Sequence, residues 1–323
     1  MTALPFHRST LALALLAAGG FAHAQSGITL SGRVDLNVGK DIGSADKRMG
    51  SGAMSHIAFR GTEDLGGGLS AFFNLETRIN AQDGTTNNPG AFLNNPPGTF
   101  WSQASYVGLR DATYGTLTLG RQMTAAVLAQ VLADPWLWDN TTLMFASTTG
   151  HVGNLWYNDA VTYGVAAGAF SLTAQVAEAA SNPGWAGVGR ERPYSFGLGW
   201  TPGKWELRFG YEKPADGTSE WSTLYGAYDF GFATLKGQVG HGRDTVDAPV
   251  RTWTLSTIAP VGVGQIRAAY GHYKRDGVVA SEKVSAGYYH YLSKRTAVYA
   301  NATHDTKAVD EKSGYELGVQ HVF

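Results

Sequence analysis

The sequence predicts an all-β fold, a 16-stranded antiparallel transmembrane β-barrel. Three observations lead there. Apolar and polar residues alternate with period two, short turns alternate with longer polar stretches, and no segment beyond the N-terminus holds the roughly 18–20 apolar residues of a spanning helix. The chain is 43% apolar, too rich in such residues for a disordered polymer. Its 25 Lys and Arg against 26 Asp and Glu leave no global attraction for nucleic acid. The absence of Cys excludes disulfides, thiolate metal sites and a Cys nucleophile.

Taken in order, the first element is an address. Arg8, the apolar run Leu11–Ala18 and the Ala22-His23-Ala24 ending read as the charged, apolar and cleavage regions of a secretory signal, which assigns residues 1–24 to a signal peptide and 25–323 to the barrel.

Strands follow from alternation. Trp205, Leu207, Phe209 and Tyr211 share one face, with Glu206, Arg208 and Glu212 on the other; Leu69, Ala71, Phe73 and Leu75 repeat the pattern, as do Ile266, Ala268 and Tyr270. Seven short turns are read at 63–67, 111–115, 166–168, 201–204, 229–231, 259–264 and 292–295. Eight longer stretches lie between them, at 41–52, 81–98, 122–157, 179–192, 213–219, 242–249, 275–280 and 306–312. Seven short and eight long connections join 16 strands, an even number that closes by antiparallel pairing with both termini on the short-turn side. Closure satisfies every backbone polar group inside lipid. Tyr106, Trp200, Trp205, Tyr228, Phe230, Tyr288 and Phe323 near strand ends read as aromatic girdles at the headgroups.

The segments Ser55–Leu69 (SHIAFRGTEDLGGGL), Tyr106–Leu109 (YVGL), Gly115–Gln122 (GTLTLGRQ), Leu292–Ala300 (LSKRTAVYA) and Gly318–Phe323 (GVQHVF) resemble the Gram-negative general porins of the betaproteobacterial type, in order and across the mature chain. The resemblance implies a homotrimer in outer-membrane lipid and lipopolysaccharide, and passive diffusion of ions and small hydrophilic solutes. No cofactor is expected; the His residues lack ligand spacing for a metal, and the charge balance offers nothing to a nucleic-acid partner. The terminal Phe323 resembles the signal read by the outer-membrane assembly machinery. It further implies that the third external loop, here 122–157, folds inward and narrows the pore, with basic wall residues facing loop carboxylates.

Counting faces from Leu30 and Val34 puts Arg33 inside; counting from Ile57 and Phe59 puts His56 and Arg60 inside, and Glu76 and Arg78 also face inward. Gln103 and Arg121 complete the expected polar wall. On the loop, Asp134 and Asp139 are the carboxylates expected on the negative side, beside Trp136, Trp138 and Trp156. Three positions depart from the family pattern: His56, Gln103 and Trp156 stand where Arg is common. A weakly selective pore is therefore expected, with a preference that shifts with pH because imidazole exchanges a proton near neutrality.

Two other readings stay open at this point. The loop tryptophans could form a stacking surface in a channel specific for sugars or aromatic solutes, or they could anchor the loop. A barrel hydrolase would need a nucleophile elbow or a metal motif; neither G-x-S-x-G nor H-E-x-x-H occurs, and His151, His241 and His272 are scattered.

Overall fold

The computed structural model describes residues 27–323 apart from 53, 87–94, 96–97, 185–186 and 188. The expected signal peptide, 1–24, and parts of the second and fourth long connections lie outside the described residues.

Sixteen long strands form one closed antiparallel sheet. They are β1 (Gly27–Lys40), β2 (His56–Gly66), β3 (Leu69–Asn80), β4 (Ala104–Asp111), β5 (Gly115–Met123), β6 (Trp156–Ala167), β7 (Phe170–Ala177) and β8 (Tyr194–Trp200). The second half comprises β9 (Trp205–Lys213), β10 (Glu220–Asp229), β11 (Thr234–Arg243), β12 (Pro249–Val261), β13 (Gly264–Arg275), β14 (Val278–Tyr291), β15 (Thr296–Asp305) and β16 (Ser313–Val322). Two short ribbons, Lys47–Ser51 and Thr85–Thr86, sit within the first two long loops.

Each strand pairs with its sequence neighbours, and β1 closes the ring. Gly27 to Arg33 pair with Thr62 to His56, whereas Arg33 to Lys40 pair with Val322 to Tyr315. Closure abolishes free edges, which lipid would leave without hydrogen-bond partners.

The faces sort as the alternation requires. Leu30, Phe59, Val107, Leu119, Leu198, Leu224, Val239, Leu255, Val284 and Leu317 are exposed on the outside, a belt of apolar side chains whose solvent is hydrocarbon. Trp205 and Tyr228 pack at 4.6 Å and Tyr228 meets Phe230 at 4.7 Å, making a girdle segment near the short turns. Tyr106 departs from that expectation. It shares the inward parity of Ala104 and contacts Phe72 inside the barrel.

The short-long alternation also fails once. The stretch 275–280, expected to be a longer loop, is a two-residue turn at Asp276 and Gly277 with φ of 47° and 78°. Positive φ at both positions is the type I′ geometry that matches strand twist, so Asp-Gly is a hairpin signal there rather than loop sequence.

The interior is not a conventional core. All but one of its buried apolar clusters among the described residues involve the connection 124–155, called loop 3 here, which carries two short helices, α1 (Val127–Val131) and α2 (Phe145–Thr149). Inward-facing glycines let the loop approach the wall. A Cβ at Gly210 would come within 2.7 Å of the Ala126 carbonyl oxygen, and one at Gly271 within 2.1 Å of Ser147 Oγ.

Candidate functional site: the lumen wall and loop 3

Loop 3 is bonded to inward-facing side chains around much of the wall. Lys236 Nζ donates to the Leu132 carbonyl at 3.0 Å, Gln238 Nε2 to Thr148 at 3.0 Å, and Ser256 Oγ to Ala133 at 2.6 Å. Lys283 Nζ donates to the carbonyls of Thr141 and Leu143, both at 2.9 Å. Thr254 Oγ1 bonds to Ser147 Oγ at 2.9 Å. Each partner on the wall has inward parity, opposite to the exposed Leu235, Leu255 or Val284 beside it.

The loop's own shape depends on Asp134. Its carboxylate accepts backbone N–H from Trp136 at 2.9 Å, Trp138 at 3.0 Å and Met144 at 2.7 Å, and the residue is fully buried. These bonds gather a segment in which Leu137, Trp138 and Asn140 all have positive φ, a costly conformation for such residues. Burial pushes the carboxyl up to about 6 against the pull of the three N–H donors. Asp134 therefore folds the loop, and its place on the negative side of a pore is not what this geometry supports.

Asp139 has the other arrangement. It forms an ion pair with Arg33 of β1 and accepts N–H from Asn140 at 2.9 Å and Met54 at 3.3 Å. Wall cation and loop anion, both expected from the sequence, lie together and neutralise each other.

Arg33 begins a row of basic residues across adjacent strands. Arg33 is register-paired with His56, and His56 with Arg78. His56 Nδ1 lies 2.8 Å from the Met54 carbonyl. The Arg78 guanidinium sits over the Trp156 ring at 5.5 Å, so the tryptophan found where Arg is common holds a neighbouring cation instead.

Arg121, expected on the polar wall, owes its place to a break in the alternation, which would otherwise turn it outward with Leu117 and Leu119. A bulge between Gly120 and Gln122 interrupts β5, and Arg121 donates to the Ser102 carbonyl at 2.6 Å and to Asn158 at 2.5 Å. It is 7% exposed and ties the ends of loops together rather than facing open water. Gln103 is also buried, and its backbone N–H donates to Glu76 O at 3.0 Å. Arg60 is more open and pairs with Glu76 at 2.6 Å.

The tryptophans are anchors. Trp136, Trp138 and Trp156 are 2%, 8% and 3% exposed, which leaves no ring face for a passing solute. Trp136 Nε1 donates to Asn301 at 3.2 Å, and Trp138 Nε1 to Thr148 at 2.8 Å. The stacking-surface reading loses its physical basis.

Sequence inspection missed a buried network beneath the loop. Tyr299 donates to Asp35 at 2.6 Å, Asn301 donates to Glu316 at 2.8 Å, and Glu316 accepts the Thr141 N–H at 3.2 Å. Asn140 Nδ2 reaches Tyr289 at 3.1 Å. Its wall members are isolated polar residues on the four neighbouring strands β14, β15, β16 and β1; inward parity was their one visible signal.

Comparison with known proteins agrees with this geometry. Residues 10–308 match the profile of the Gram-negative porins. The outer membrane porin protein 32 of Delftia acidovorans is 31% identical across 98% of this chain and 99% of its own. Among solved structures, the anion-selective porin from Comamonas acidovorans superposes with a TM-score of 0.75 at 25% identity, covering 93% of this chain and 100% of that one. OmpT of Vibrio cholerae in its trimer form gives 0.69 at 13% identity over 92% of this chain and 99% of its own, a likeness of fold. With its closed 16-strand barrel and apolar outer belt, the chain belongs to the Gram-negative porin family, as a channel of the outer membrane and not an enzyme.

Proposed function

We propose that loop 3 narrows a water-filled lumen through which ions and small hydrophilic solutes diffuse, with a modest preference for anions. A 16-stranded barrel is otherwise wide enough for an open aqueous channel. The loop's bonds to inward-facing side chains on β11, β12 and β14 support the narrowing.

The preference rests on an asymmetry of exposed charge. Lys236 and Arg267 have inward parity, are partly exposed and have no ion-pair partner among the described residues; Arg78 has none either but is buried. By contrast, three of the inward carboxylates, Asp35, Glu212 and Glu316, are at most 1% exposed. A lumen that displays cations and buries its anions attracts counter-anions. Three ion pairs keep the bias modest: Asp139 cancels Arg33, Glu76 cancels Arg60, and Glu206 cancels Arg208. The similarity to a porin described as anion-selective points the same way.

The chain is proposed to act as a homotrimer in contact with lipopolysaccharide, exported by residues 1–24 and assembled through Phe323. Chemical cross-linking in the native membrane tests the trimer. For selectivity, the reversal potential of the purified protein across a KCl gradient is expected to carry the sign of chloride preference; a potassium sign contradicts the reading.

A further inference from the structure

A half-open cavity of about 370 Å3 lies on the inner wall of β3, β4 and β5, where Phe72, Asn74, Tyr106, Arg110, Thr116 and Thr118 contribute to its lining. Its rings are out of pattern. The inward-facing Trp221, Tyr225, Tyr289 and Tyr299 are buried in the clusters against loop 3 and its network, whereas Phe72 and Tyr106 remain half-buried.

The two rings meet edge to face at 6.2 Å, and the Arg110 guanidinium lies over the Phe72 ring at 4.7 Å. Gly108 makes room: a Cβ there would fall 2.5 Å from the Phe72 ring. Arg110 has no carboxylate partner among the described residues, and Glu76, the carboxylate lining the same cavity, is held by Arg60. A guanidinium stacked on a ring keeps its in-plane N–H edges free, the geometry that matches a carboxylate. The Tyr106 hydroxyl accepts from Asn74 Nδ2 at 3.4 Å, which leaves its own proton to donate.

We propose that this cavity is a weak subsite for small aromatic carboxylates in transit: Arg110 and the Tyr106 hydroxyl take the carboxylate, and the Phe72 and Tyr106 rings take the apolar body. The proposal rests on the conducting reading above and deepens it by naming a solute class.

Currents through the purified protein in KCl, titrated with sodium benzoate, test it, with sodium acetate and glucose as controls. Benzoate is expected to reduce the current with a saturating, millimolar midpoint, while acetate and glucose do not saturate. Relative to each variant's own KCl current, Arg110→Gln and Phe72→Leu are expected to move that midpoint upward by about tenfold or more. Benzoate behaving like acetate, or an unchanged midpoint in both variants, overturns the subsite; saturation by glucose overturns its assignment to anions. Absence of any KCl current would sink the conducting reading alone, because calorimetric titration of benzoate into the detergent-solubilised protein still decides the subsite.

Discussion

Arg33 of β1 and Asp139 of loop 3 form an ion pair between the barrel wall and the segment proposed to narrow the pore. Their side chains are unequally buried, 20% exposed for Arg33 and 4% for Asp139. Removing the arginine strands a buried charge, while removing the carboxylate leaves a cation that water still reaches. Arg33→Ala is therefore expected to cost more than Asp139→Asn, on the order of 3 kcal/mol for the first. Denaturant unfolding of both variants in detergent checks the ranking; equal costs would show that the pair is not desolvated.

The middle of the basic row should set the size of the anion bias. His56 lies in register between Arg33 and Arg78. Placing a permanent charge there with His56→Arg is expected to move the reversal potential toward chloride, and Arg78→Gln to move it away. Unchanged reversal potentials in both variants would mean that ions do not pass this row.

Asp134 supplies a pH dependence with a definite sign. Its carboxyl is raised from 3.8 to about 6 in the folded loop, so the folded state binds more protons than the unfolded one between those values. Its contribution to stability is fully present below pH 3.8 and lost as pH rises through about 6. The stability difference between pH 4 and pH 7 should shrink in Asp134→Asn. That variant also turns an amide N–H toward backbone donors, a cost of about 1–3 kcal/mol at pH 7.

The Asp276-Gly277 turn isolates a backbone effect. Gly277 has φ of 78° and nothing within 4 Å of an added Cβ, so Gly277→Ala meets strain without a clash. A loss of about 1–2 kcal/mol in unfolding free energy is expected, with the reversal potential unchanged.

How much was legible follows from what period two can carry. Alternation places Leu30 outside and Arg33 inside without any tertiary information, and the length of loop 3 marks it as unusual. Alternation fails where the backbone breaks step: counting from Leu117 and Leu119 would turn Arg121 toward lipid, and the bulge re-aims it to Ser102 and Asn158. It is also blind to depth, since Tyr106 near a strand end has inward parity and Trp136 on a loop is buried. The type I′ turn at 276–277 was readable from Asp-Gly, but the polar residues around it imitate a longer loop. The network of Asp35, Tyr299, Asn301 and Glu316 joins residues up to 264 positions apart in the chain, and no local spacing announces such contacts.

The position of loop 3 inside the lumen is the central claim, and a paired cysteine substitution tests it most directly because the chain has no Cys of its own. Ser147 on the loop and Thr254 on β12 bring their hydroxyl oxygens to 2.9 Å. Ser147→Cys combined with Thr254→Cys is predicted to form an intramolecular disulfide under mild oxidation in the membrane, with single-channel conductance kept close to that of the reduced form. Two thiols that stay free and reactive toward water-soluble reagents would contradict the account.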